Sequence, residues 1–109
     1  MIEVIFGNNT AEKVLLYINT YREGYAAGMS NLYNIPLNMV QKQLRRFEEG
    51  GVLVSQKKGN TRIFIFNPRY IFLDELKGLL NKAMKLLPEN EIKKYYRKRT
   101  RPRKTGKPL

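Results

Sequence analysis

The chain has 109 residues, 42% of them hydrophobic, and a formal net charge of +12. That length fits one small domain with an appendage, and its core is small enough that a second copy would help bury apolar faces. Cysteine and histidine are both absent, which excludes disulfides, thiolate metal sites and the usual imidazole ligand or general base.

The first periodic segment follows Asn8, Asn9 and Thr10, which can cap a helix. Val14, Leu15, Ile18 and Tyr21 recur at helical spacing, and Leu16 and Tyr17 widen the apolar face. The spacing predicts a helix over 10–22. Such a face suits either the centre of a small core or a contact with another subunit. Arg22-Glu23-Gly24 breaks the helix, and Tyr25-Ala26 can pair briefly with a later hairpin. A second helix is expected over 27–33, with Leu32 and Met29 inward and Gly28 permitting close helix approach. Asn34-Ile35-Pro36 makes a turn, because proline is tolerated only near a helix start.

A third helix is expected from about 37 to 49. Val40, Leu44 and Phe47 form its core stripe at i, i+4 and i+7. The opposite side presents Asn38, Gln41, Lys42 and Arg45. These side chains can address base edges, and the basic pair can instead hold phosphates. An ordinary solvated face has the same composition; what favours recognition is its place between a tight helical turn and a basic hairpin.

Gly50-Gly51 stops that helix. Residues 52–56 and 62–66 are β-branched and aromatic, and Lys57-Lys58-Gly59-Asn60-Thr61 joins them as a hairpin loop. Lys57, Lys58 and Arg62 are candidate phosphate contacts in this wing, and Asn60 can serve the turn in a left-handed conformation. Asn67-Pro68 ends the hairpin. A long helix is expected over 70–87, too apolar for one small domain to bury readily, and Glu89-Asn90-Glu91-Ile92 can seed another.

Residues 1–68 hold eight basic and five acidic side chains, whereas residues 69–109 hold thirteen and four. The basic excess culminates in a tail that includes Arg97, Lys98, Arg99, Arg101, Arg103, Lys104 and Lys107. Charge repulsion and proline oppose regular structure there. A polyanion is the natural partner of such a chain. No apolar run has membrane-spanning length and no leader pattern is present, so a cytoplasmic protein without membrane contact is expected.

The order helix, turn, helix, Gly-Gly, hairpin defines the expected fold class: mainly α with a small β-hairpin, a winged helix-turn-helix. Three regions are expected: the winged domain at 1–68, a helical extension for possible dimerisation at 69–92, and a flexible basic tail at 93–109. Through Leu32-Tyr33-Asn34-Ile35 and Pro36 to Leu53, the chain resembles small prokaryotic winged helix-turn-helix transcriptional regulators of the ArsR-like and MarR-like kind. It also resembles small helix-turn-helix domains found beside nucleotidyltransferase-like proteins. In such families a hydrophobic residue precedes the recognition helix, a Val and a Leu anchor it, and a Gly-Val/Leu-Leu-like step leads into the wing. The resemblance implies that Asn38, Gln41, Lys42 and Arg45 face a DNA major groove, with Lys57, Lys58, Asn60 and Arg62 in the wing. Metal-sensing members use Cys or His, so that role does not carry over, and Pro36 stands where a small polar cap is common.

The expected function is sequence-specific binding of double-stranded DNA by a homodimeric transcriptional regulator. Alternatives are an RNA-binding or ribosome-associated protein and a module that docks a larger enzyme as protein partner. No arrangement of residues points to catalysis, a metal or a cofactor, so no enzyme activity is expected.

Overall fold

The computed structural model describes residues 2–97. Its elements are α1 (Glu3–Phe6), α2 (Asn9–Tyr21), α3 (Ala26–Tyr33), α4 (Leu37–Glu49), β1 (Leu53–Lys58), β2 (Thr61–Phe66), α5 (Leu73–Leu86) and α6 (Glu89–Tyr95). The fold is mainly α-helical with one antiparallel hairpin, arranged as a winged helix-turn-helix. No helix among the described residues is long and apolar enough to cross a membrane.

α2 is the axis of the core. Asn8 caps it, its Oδ1 accepting from the Ala11 amide at 2.7 Å. Val14, Leu15, Leu16 and Ile18 are all essentially inaccessible within the single chain. The breadth of this apolar surface, compatible from sequence with a subunit contact, is taken up by α1, α3, α4, β2 and α5 of the same chain. α1 was not visible as a helix in the sequence. A single turn has no room for a periodic pattern, and its C-cap is Gly7 in the left-handed region at φ 106°.

The turn between α3 and α4 is built by three residues with separate tasks. Asn34 takes the left-handed conformation at φ 57° and ends α3. The Ser30 hydroxyl donates to the Ile35 carbonyl at 2.6 Å, and the Ile35 amide donates back to the Ser30 carbonyl at 3.1 Å. Pro36 then stands at the N-cap of α4. At the other end, Gly51 is left-handed at φ 81°, and the Val52 amide reaches the Phe47 carbonyl at 2.9 Å. With the Gly51 amide on the Glu48 carbonyl, this is a Schellman stop that delivers the chain directly into β1.

β1 and β2 pair from Leu53↔Phe66 to Lys58↔Thr61. The hairpin is therefore tighter than the expected five-residue loop. Lys57 and Lys58 belong to β1, and only Gly59 and Asn60 turn the chain. Gly59 carries the positive φ of 63°, so Asn60 does not supply the left-handed residue. Glycine in the first central position suits a type II′ turn, whose twist matches the strands. The expected brief pairing near Tyr25 falls one residue earlier, where Gly24 and Phe64 exchange amide–carbonyl bonds of 3.1 and 2.8 Å. A side chain at Gly24 would collide with Met29 and Tyr17, with a Cβ 2.6 and 2.7 Å from their atoms. Gly28, by contrast, makes room for the Tyr25 ring and not for another helix.

α5 starts at Leu73, not near residue 70, because Asn67 to Phe72 form turns. Leu80 and Ala83 bury against α2, and Asn19 donates to Asn81 across that contact at 2.7 Å. The helical extension thus shares the core of the winged domain. α6 runs through residues 93–95, which sequence charge had grouped with the tail, and Tyr96 is buried behind it. Tyr33 Oη lies 3.0 Å from the Lys13 carbonyl oxygen and 3.2 Å from Tyr96 Oη. Tyr21 donates to the Tyr95 carbonyl at 2.6 Å, and Lys13 Nζ sits 5.2 Å from the Tyr33 ring centroid. This tyrosine clasp fastens α6 to α2 and α3.

Candidate nucleic-acid interface

The two faces of α4 are sharply different. Val40, Gln43, Leu44 and Phe47 are buried, whereas Asn38, Gln41, Lys42 and Arg45 are exposed. At 3.6 residues per turn these four share one outward sector. Glu48 and Glu49 follow in the last turn. The sector is therefore neutral to basic along its N-terminal part and acidic at its end, so a polyanion is favoured over the first two turns. No acidic residue stands in the first turn of α4.

Gln41, Arg45, Asn60 and Arg62 line one open groove of about 600 Å³ between α4, the start of α3 and the hairpin tip. Recognition-helix and wing candidates widely separated in sequence are thereby brought together. The same groove includes Tyr25, Leu37, Glu48 and Thr61, which sequence reading did not single out. Met39 is apolar, exposed and off the Val40–Leu44–Phe47 stripe but does not line the groove, whereas Leu37, seven residues before Leu44, continues that stripe by spacing and is left part-exposed at the helix start. Asn38 and Lys42 are exposed on α4 beside the groove without lining it.

The wing candidates divide by strand alternation. Lys57 pairs directly with Arg62, so both point to the hairpin face that carries Ser55 and Phe64. Lys58 points to the other face, where it lines a shallow depression with Val54, Gln56, Ile63, Ile65 and Glu23. Arg62 Nη1 donates to Ser55 Oγ at 3.0 Å, and Ser55 Oγ donates to Glu48 Oε2 at 2.6 Å. Arg62 therefore helps tie the wing to α4, while its remaining N–H groups stay at the surface.

Arg46, adjacent to the recognition candidates, has a different use. Its Nη2 donates to the Phe6 carbonyl at 2.6 Å, its Nε donates to the Gln43 amide oxygen at 3.0 Å, and it lies over the Phe47 ring. It anchors α1 and explains why Gln43 can be buried on a core-facing position. Of the basic tail candidates only Arg97 is described, and it is exposed; Lys98, Arg99, Arg101, Arg103, Lys104 and Lys107 lie outside the described residues.

Among the described residues no group of His, Cys, Asp or Glu could hold a metal ion. The strongest electrostatic perturbations fall on the tyrosine clasp, away from the groove. Burial pushes the Tyr33 hydroxyl far up from its ordinary value, and burial pushes Tyr96 up to about 12. These groups are structural hydroxyls held neutral.

The sequence matches no protein-family model and no curated protein. The resemblance to ArsR-like and MarR-like regulators is therefore a resemblance of helix-turn-helix-type architecture: a helical body with a small antiparallel hairpin.

Proposed function

We propose that the protein binds double-stranded DNA sequence-specifically and acts as a transcriptional regulator. The observation that carries this reading is the shared groove: Gln41 and Arg45 on α4 converge with Asn60 and Arg62 on the wing. A helix of this length fits a major groove, and the hairpin beside it reaches the flanking backbone. Gln41, Asn38 and Arg45 supply hydrogen-bonding groups for base edges. Lys42, Lys57 and Lys58 supply charge for phosphates, and the net charge of +12 favours a polyanion throughout.

The test is competition between a randomised DNA duplex pool and a structured RNA of equal length for the full chain, repeated over a salt series. Preferential retention of duplex DNA, with enrichment of a common motif, supports the reading. Preferential retention of the RNA at every salt concentration overturns it. Equal binding to all duplexes, abolished by salt, overturns sequence specificity.

A further inference from the structure

The first turn of α4 places an apolar side chain in a groove of mixed lining, where Tyr25 and Phe64 stand beside Gln41 and Arg62. Leu37 is 43% exposed, although the core stripe of its own helix is sealed. It lines the groove together with Gln41 and Arg45. These residues are spaced i, i+4 and i+8, so they form one row along the helix. A solitary exposed leucine needs no explanation. This one stands in line with two hydrogen-bonding side chains, on the surface assigned to DNA.

The edge of an A·T pair in the major groove has two kinds of feature. Adenine offers the N7 acceptor and N6 donor, and thymine offers an apolar C5-methyl group. The amide of Gln41 has the matching donor and acceptor for adenine. The methyl requires an apolar partner. One helical turn is about 5.4 Å, and successive base pairs are about 3.4 Å apart, so Leu37 stands one to two base pairs from the base that Gln41 reaches. We infer that Leu37 and Gln41 form a composite reader of A·T sequence, Gln41 taking an adenine and Leu37 the methyl of a thymine one or two pairs away. The inference rests on the DNA-binding reading and adds a base preference to it. Arg45, one turn further along, continues the row toward a guanine or a phosphate.

The test uses the duplex enriched from a randomised pool by the full chain. Each thymine is replaced in turn by uracil, which removes only the methyl. Binding is measured for the unaltered chain, for Leu37→Ala and for Leu37→Gln. One uracil substitution should weaken the unaltered chain roughly fourfold, the equivalent of one buried methyl-sized group. The same substitution should leave both variants unchanged. Circular dichroism melting checks that the variants are folded, and the glutamine variant retains side-chain length should the alanine variant fail. A duplex in which no thymine is sensitive overturns the inference while leaving DNA binding intact, and so does an equal loss in the chain and its variants. A chain that enriches no duplex overturns the DNA reading itself, and the inference falls with it.

Discussion

Ser55 Oγ on the first wing strand donates to Glu48 Oε2 in the last turn of α4, at 2.6 Å. Arg62 on the second strand donates to the same hydroxyl at 3.0 Å. Both strands of the wing are thus fixed to the helix that carries the proposed reading face. Under the proposed function, the angle between helix and wing determines whether both meet one duplex, so Ser55 bears on binding through geometry rather than through its own energy.

Replacing Ser55 with Ala removes both bonds. The pair is at the surface, so the stability loss should stay below about 1 kcal/mol. Amide exchange in the hairpin beyond Ser55 should accelerate, with the α4 amides unchanged. Unchanged exchange throughout the hairpin would show that backbone pairing alone sets the wing.

The tyrosine clasp should make stability sensitive to alkaline pH. Tyr33 and Tyr96 are raised above the ordinary value of 10.0 chiefly by burial, Tyr96 to about 12. In the folded chain they hold their protons where an unfolded tyrosine has lost them. Their contribution is complete below pH ~10 and falls as pH rises through the folded values, by up to about 1.4 kcal/mol per pH unit for each. Urea unfolding across this range should show that decline. Tyr33→Phe should flatten it and, by leaving the Tyr96 hydroxyl and the Lys13 carbonyl without their partner, cost about 1–3 kcal/mol at neutral pH.

Leu16 is 1% exposed within one chain. Leu16→Ala should therefore cost about 2–5 kcal/mol as a core cavity. The loss should be the same at low and high protein concentration. A loss that shrinks as concentration rises would mean that α2 also supports a contact between copies.

Truncation of the tail must spare Tyr95 and Tyr96, which hold α6 in place. A chain ending at Arg97 should melt like the full chain. It should bind every duplex more weakly and with a shallower salt slope, because fewer counterions are released. Unchanged affinity and slope would remove the tail from the DNA footprint.

Much of this was legible in sequence because α4 and its stops are written locally. Pro36, the Val40–Leu44–Phe47 stripe and Gly50-Gly51 set the helix, and β-branched and aromatic residues set the strands. The split between Lys57 and Lys58 was not legible, since it depends on the hairpin having two turn residues. Arg45 and Arg46 are also alike in sequence; only the position of the Phe6 carbonyl separates a surface arginine from an anchor. The clasp was hidden because Tyr33 and Tyr96 are 63 residues apart, and the charge of Lys93 and Lys94 made α6 look continuous with the tail. Leu37 sat at a helix start, where apolar residues attract little notice.

The central claim is that the outward face of α4 and the wing tip together contact duplex DNA. Backbone amide chemical shifts of the full chain, followed during titration with the enriched duplex, test it residue by residue. The largest changes are expected at Asn38, Gln41, Lys42, Arg45, Asn60 and Arg62, with the amides of Leu15, Leu16 and Ile18 in the core of α2 unmoved. Changes confined to α5 and α6, with α4 and the wing silent, would contradict it.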